Sequence, residues 1–234
     1  MANIVLLNNQ THRDIRVEAG ASAEHGDNQR FVQVSVTEFP RLAVHYPIFF
    51  SKDADTGQFY CGAMLGFDVG ENLFLSEGGK GQDAYRPLNL QRGPFFVSGN
   101  DLAVDLDNPR VGQAKGEALF NDGGEPTPYL QGIIRAFQEL RPGFEMTKAF
   151  ADTLMTLKLI EPISIDVGFD DGSKRQINGL YSIARDVLRD LPDATVVDLF
   201  RRGYLSLIYA MLLSLNQVPV LAQKKNRRLH EATG

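Results

Sequence analysis

The residues best suited to chemistry in this chain lie near its start. The segment THRDIRV places His12, Arg13, Asp14 and Arg16 within five residues, and AEHGDN follows with His25 and Asp27. Brought together, an imidazole and a carboxylate could exchange a proton as acid and base, or hold a metal. A surface turn with local ion pairs is the plainer expectation, because exposed charge clusters are usually just solvated. His45, in AVHYPIFF, is the third catalytic candidate after His12 and Asp14. A lone histidine entering a strand is more often a hydrogen-bonded structural residue. Asp105 and Asp107 stand two apart in VDLDNPR, beside Asn108, and could offer oxygen ligands to Mg²⁺ or Ca²⁺. A strand running into an Asn-Pro turn gives the same pattern, so no metal is expected.

Binding needs different residues. Tyr46 and the Tyr85-Arg86 pair combine an aromatic or apolar body with a polar tip, which suits the lining of a ligand pocket. The glycine-rich SEGGKGQD lacks the GxxxxGK[ST] spacing of a phosphate loop and reads as a connecting loop. No HExxH, GxSxG, dinucleotide GxGxxG or kinase signature occurs, so no cofactor is expected. Cys61 is the only cysteine, which excludes a disulfide within the chain, and in FYCGAML it reads as a buried, inert thiol.

The net charge of −5 and the excess of acidic over basic side chains in residues 1–120 (15 against 10) disfavour nucleic acid as a partner. Only the last eleven residues are basic, with 4 basic and 1 acidic side chains. The opening MANIVLLNNQTHRD has no basic leader and only four consecutive apolar residues, so a cytoplasmic protein is expected.

These side chains must be positioned by an α+β scaffold. Residues 1–122 are rich in short apolar runs separated by turns: FVQVSV, YPIFF, FYCGAML, NLFL, PFFV and LAVDL. Their spacing predicts a largely antiparallel β-rich half, with Val32, Val34 and Val36 alternating inward. Residues 123–234 read as mainly helical. Thr127-Pro128 begins a helix, Pro142-Gly143 ends it, and a second apolar stripe runs through Met146, Phe150, Leu154 and Leu157. Ile163, Ile165, Val167 and Phe169 alternate before Asp170-Asp171-Gly172-Ser173, which predicts one late hairpin. Ser182 and Asp193 are candidate caps for two further short helices. Together these elements suggest a single domain.

The stretch GYLSLIYAMLLSLNQVPVLAQ, residues 203–223, carries no charge and is flanked by Arg201-Arg202 and Lys224-Lys225-Asn226-Arg227-Arg228. Pro219 predicts that its helix ends near Gln217, roughly 21 Å long against roughly 30 Å of bilayer hydrocarbon. The expectation is therefore a core helix burying Leu205, Ile208, Tyr209, Leu212 and Leu215, and no transmembrane segment.

Several phrases together resemble the bacterial SapC-like family: LLNNQTHRDIRV, EFPRLAVHYPIFFSKD, LGFDVGENLFL, AYRPLNLQRGPFFV, VDLDNPRVG, GFEMTKAFADTLMTLKLIEPISIDVGFDDGS and GYLSLIYAMLLSLNQ. They are collinear from about Leu6 to Arg228. The family's name comes from a protein associated with a surface layer. Its members are found beside genes for flavin-dependent halogenase-like proteins, cupin-like proteins and TonB-dependent receptors. The resemblance implies an uptake or modification system for peptides or aromatic compounds, and it supplies no catalytic residues. A permease of antimicrobial-peptide transport shares the name, but needs several spans. The expected role is a soluble, non-enzymatic accessory or binding protein with a protein partner or a small peptide or aromatic ligand. The alternatives are an enzyme with a His/Asp site between the β-rich and helical halves, and a surface-layer-associated component.

Overall fold

The computed structural model describes residues 3–76, 79–112 and 115–233, so Glu77 and Gly78 of the SEGGKGQD loop lie outside the described residues. The chain is α+β, with antiparallel sheets drawn mainly from its first half and helices dominating its second. In order, the first elements are β1 (Ile4–Leu6), β2 (Arg16–Val17), β3 (Phe31–Val34), α1 (Phe39–Leu42), β4 (Ile48–Lys52) and β5 (Phe59–Met64). Next come α2 (Leu88–Gln91), β6 (Phe95–Ser98), β7 (Asp101–Asp105), β8 (Glu117–Ala118) and α3 (Pro128–Thr156). The hairpin β9 (Ile160–Gly168) and β10 (Lys174–Ile183) follows. Four helices close the chain: α4 (Arg185–Arg189), α5 (Asp193–Arg201), α6 (Tyr204–Ser214) and α7 (Gln217–Thr233).

These elements form two compact units, each assembled from separated stretches. Unit 1 is Met1–Asn28 with Leu75–Pro142; unit 2 is Gln29–Phe74 with Gly143–Gly234. Unit 1 holds the three-stranded sheet β1-β7-β6 and the pair β2-β8. Its core gathers Val17, Phe95, Val104, Leu119, Leu130 and Ile133, the last two from one stripe of α3. Unit 2 holds the five-stranded sheet β3-β5-β4-β10-β9. Val32 and Val34 of β3 are buried, as their alternation predicts, while Val36, also buried, opens a 3-10 turn after the strand has ended. Phe150 of α3 meets Phe39 edge-on and stacks on Phe50 with ring centroids 6.0 Å apart.

The helix from Pro128 does not stop at Pro142-Gly143. It runs on to Thr156. Proline removes one ladder hydrogen bond, a cost of about 3 kcal/mol. The buried side chains of α3 on either side, Leu140 and Phe150 among them, outweigh that loss. Gly143 also permits a close approach within unit 2, since a Cβ there would stand 2.8 Å from the Cβ of Ser35. Thr147 Oγ1 donates to the Gly143 carbonyl at 2.7 Å and accepts from Val36 N at 3.0 Å, which ties the helix to that neighbour.

Other details depart from expectation. NLFL is a turn rather than a strand, because Asn72 Oδ1 takes the Phe74 N–H at 3.0 Å and diverts it from any ladder. Ser182 lies inside β10, and Asp193 is the first residue of α5. The late hairpin forms as read: Gly172 adopts φ +81° at the turn, and Asp171 Oδ1 accepts from both Ser173 N and Ser173 Oγ.

The apolar C-terminal stretch folds differently from its sequence reading. Helix α6 ends at Ser214, and α7 begins three residues later at Gln217 with Pro219 in its first turn, where no intrahelical acceptor awaits its missing N–H. The run Tyr204–Ala232 is long and apolar enough to cross a membrane by length and composition alone, yet only 22% of its most apolar window is buried. Ile208, Met211, Ser214 and Leu221 turn inward. Ser214 Oγ donates to the Met211 carbonyl and accepts from Ile48 N at 2.9 Å, which fixes α6 on the start of β4. Tyr209, expected in the core, is 53% exposed because the inward stripe passes beside it. Leu205, Leu212 and Leu215 are half-buried.

Candidate ligand-binding groove

Unit 2 carries an open groove of about 720 Å³. Its walls come from three places: the exposed side chains at the end of the sheet, the β4–β5 turn, and the second half of α3. Its lining includes the aromatic residues Phe31, Phe59, Tyr60 and Phe144 and the basic residues Lys52 and Lys148. Strand alternation puts Phe31 and Tyr60 on one face of the sheet and Phe59, opposite Lys52, on the other, so the groove wraps the end of the sheet. Phe31 lies across Gly62 of the neighbouring strand so closely that a Cβ there would fall 2.1 Å from the ring. Phe31 and Tyr60 pack edge-on with centroids 6.3 Å apart.

The turn is built by its own side chains. Asp53 Oδ1 accepts from Thr56 N, Thr56 Oγ1 and Asp55 N, the shortest two at 2.8 Å. These bonds, that from the Thr56 backbone foremost, hold the Asp53 carboxyl below its ordinary pKa. Gly57 takes φ +68°, which lets the chain reverse. Lys52, exposed beside this turn, has its Nζ 4.9 Å from the Phe59 ring centroid and 5.1 Å from that of Tyr181. Lys148 pairs with Asp152 one turn along α3, and both side chains are more than half exposed. Such a pair is readily opened by a competing anion. Aromatic faces beside ammonium groups suit a ligand that carries a ring and a negative charge.

Unit 1 has a smaller groove of about 450 Å³, lined by Leu102, Ile134, Phe137 and Arg141 among others. Arg141 is engaged there, donating to the Gly99 carbonyl and to Asn100 Oδ1.

The residues singled out from sequence fall in several places. His12 is buried and its Nδ1 accepts from Asn8 N at 3.1 Å, closing a turn. Asp14 is exposed in unit 1, whereas His45 belongs to unit 2, half-buried with its ring edge-on to Tyr46. Tyr46 is fully buried on Phe74, with centroids 4.3 Å apart. Tyr85 is half-buried and its carbonyl accepts from Gln82 Nε2. Asp105 Oδ1 accepts from Asn3 N and Asp107 N, and Asp107 is exposed. Among the described residues, no group of three or more His, Cys, Asp or Glu side chains could hold a metal. Cys61 is fully buried, which pushes its thiol pKa up and leaves it inert.

Arg86 has a partner that its sequence neighbourhood does not reveal. Its Nη2 donates to both oxygens of Asp27 at 3.0 Å, and Arg110 Nη2 reaches Asp27 Oδ2 at 2.5 Å. Arg110 also donates to the carbonyls of Glu18 and Gly20. Asp27 and Arg110 are each only 3% exposed. Burial draws the pKa of Arg86 below its ordinary value while the Asp27 charge opposes that. Burial likewise raises that of Tyr129 to about 12. His25 Nε2 stands 3.8 Å from Glu18 Oε2, so the AEHGDN histidine faces a carboxylate, though not the one in its own segment.

Lys52, Phe59 and Lys148 went unnoticed in the sequence as site residues. The available signal was DADTG set between a lysine-ended strand and the Phe-Tyr pair that opens the next. Phe144 and Lys148 could not be linked to it without knowing how α3 lies. No curated protein and no solved structure matches the chain. A SapC family model matches residues 7–221, nearly the whole length, and the chain belongs to the SapC family.

Proposed function

We propose that this SapC-family chain is a soluble, cytoplasmic, non-enzymatic binding protein. It holds a peptide or aromatic compound bearing a negative charge, as an accessory to an uptake or modification system. The observation that carries this reading is the open unit 2 groove, whose lining combines Phe31, Phe59, Tyr60 and Phe144 with Lys52 and Lys148. Its volume falls in the range of small-molecule sites, about 300–1,000 Å³. Rings supply apolar contact area at little entropic cost, and the lysines favour a carboxylate over a neutral ligand.

The test is calorimetric titration of the isolated chain with aryl carboxylates and short acidic peptides containing an aromatic residue, against their amide counterparts. The expected result is saturable binding of the acids without turnover. Lys52→Ala should weaken it by about fivefold and Phe59→Ala by tenfold or more, from the size of ring–cation and ring-burial terms. Turnover by the purified chain, or acid binding untouched by both substitutions, contradicts the reading.

A further inference from the structure

The surface of α5, α6 and α7 has no part in the groove, and its composition is unlike the rest of the chain. Residues 201–230 contain six Lys or Arg side chains and no Asp or Glu, within a chain of net charge −5, and the flanking Asp193, Asp198 and Glu231 bring the three helices to +3. Alongside that charge, large apolar side chains point outward: Phe200 is 73% exposed, Leu213 64% and Val220 42%, with Tyr209 beside them. Tyr209 and Leu213, four residues apart, share one face of α6, and Val220 is exposed on α7. Ile208, Met211, Ser214 and Leu221 occupy the opposite, buried face.

From this we infer that the α5–α7 surface binds an anionic bilayer, with its helices lying in the interface rather than crossing it. Charge complementarity selects the occupant. Arg201 and Arg227 are exposed near the two ends of the apolar strip, where lipid phosphates could meet them. A second copy of a chain with net charge −11 outside this segment could also supply negative charge. Exposed apolar side chains with basic residues at both ends, however, are the combination that an interfacial helix presents to lipid. Crossing is opposed by the inward face. Lys225 of α7 is committed to Asp68 at 2.9 Å and to Glu71, and Ser214 to Ile48 N, so one side of the run is already packed on its own protein.

The experiment is sedimentation of the full chain with vesicles of phosphatidylcholine alone or doped with phosphatidylglycerol, at low and high salt, with light scattering for oligomeric state. Expected are binding only to the doped vesicles and release by high salt. Arg201→Gln and Arg227→Gln should each weaken binding by about fivefold, and Leu213→Glu by tenfold or more. All three sites are exposed, so the melting temperature should hold. No binding to doped vesicles overturns the inference, as does binding indifferent to the three substitutions. Resistance to salt with a detergent requirement overturns it in favour of a span. A dimer that Leu213→Glu splits, without vesicle binding, overturns it in favour of self-association.

Discussion

Two sets of charges in this molecule lie in contrasting surroundings. In unit 1, Asp27 holds Arg86 and Arg110 out of water, and the second guanidinium also satisfies two carbonyls. In unit 2, Lys52 and Lys148 stand at the rim of an aromatic groove, exposed and loosely engaged. Buried charges are committed to the fold, because separating them leaves an uncompensated ion in a poor solvent. Rim charges can change partners at little cost. Arg86, the ligand-binding candidate suggested by its type, thus lies among the committed charges, and the groove lysines among the available ones.

That contrast can be broken by substitution. The largest effect is expected from Asp27→Ala, which takes the carboxylate away from the buried Arg110 guanidinium and the part-buried Arg86 one. It should lower stability by about 3–5 kcal/mol, read by denaturant unfolding. Lys52→Ala should move the same measurement by less than about 0.5 kcal/mol. Next is Gly62→Ala. Its new methyl would meet the Phe31 ring, so the ring must swing aside, costing about 1–3 kcal/mol and reshaping the groove. Circular dichroism on heating, together with ligand titration, would report both changes.

Titration sharpens the same comparison. Tyr129, with its pKa raised to about 12 by burial, should resist ionisation well beyond an ordinary tyrosine near 10. The folded protein holds this proton more tightly than the unfolded chain. Its contribution is therefore complete below about pH 10 and is lost between there and about 12. Ultraviolet absorbance of the phenolate checks it. The smallest effect belongs to Asp68, whose carboxyl is held below its ordinary pKa by hydrogen bonds from Arg175 and Lys225. Its contribution is present above the usual aspartate value of about 3.9 and fades as pH falls through the lowered one. Asp68→Asn should cost less than about 1 kcal/mol at neutral pH, and less still in acid, because the pair is part-exposed.

Local features were legible where one rule governed them. The valine alternation of β3, the Thr127-Pro128 helix start and the Asp-Asp-Gly-Ser turn depend on neighbours in sequence, and each formed as read. What escaped depended on distant partners. Pro142 stays inside a helix because side chains far from it in sequence hold both flanks. The outward turn of Tyr209 was hidden because a segment apolar on every side carries no signal of which face turns in. The Asp27–Arg110 pair spans 83 positions, and no local pattern announces it. The groove was hidden for the same reason, since Lys52 and Lys148 meet only through the placement of α3.

The central claim is that ligand binds at the aromatic groove of unit 2, and amide and methyl chemical shifts during titration with an acidic aromatic peptide test it most directly. The account predicts perturbations concentrated on Phe31, Lys52, Phe59, Tyr60 and Lys148, with Arg86 and Arg110 unmoved. Saturable shifts centred on Arg86 and Arg110, with the groove silent, would contradict it.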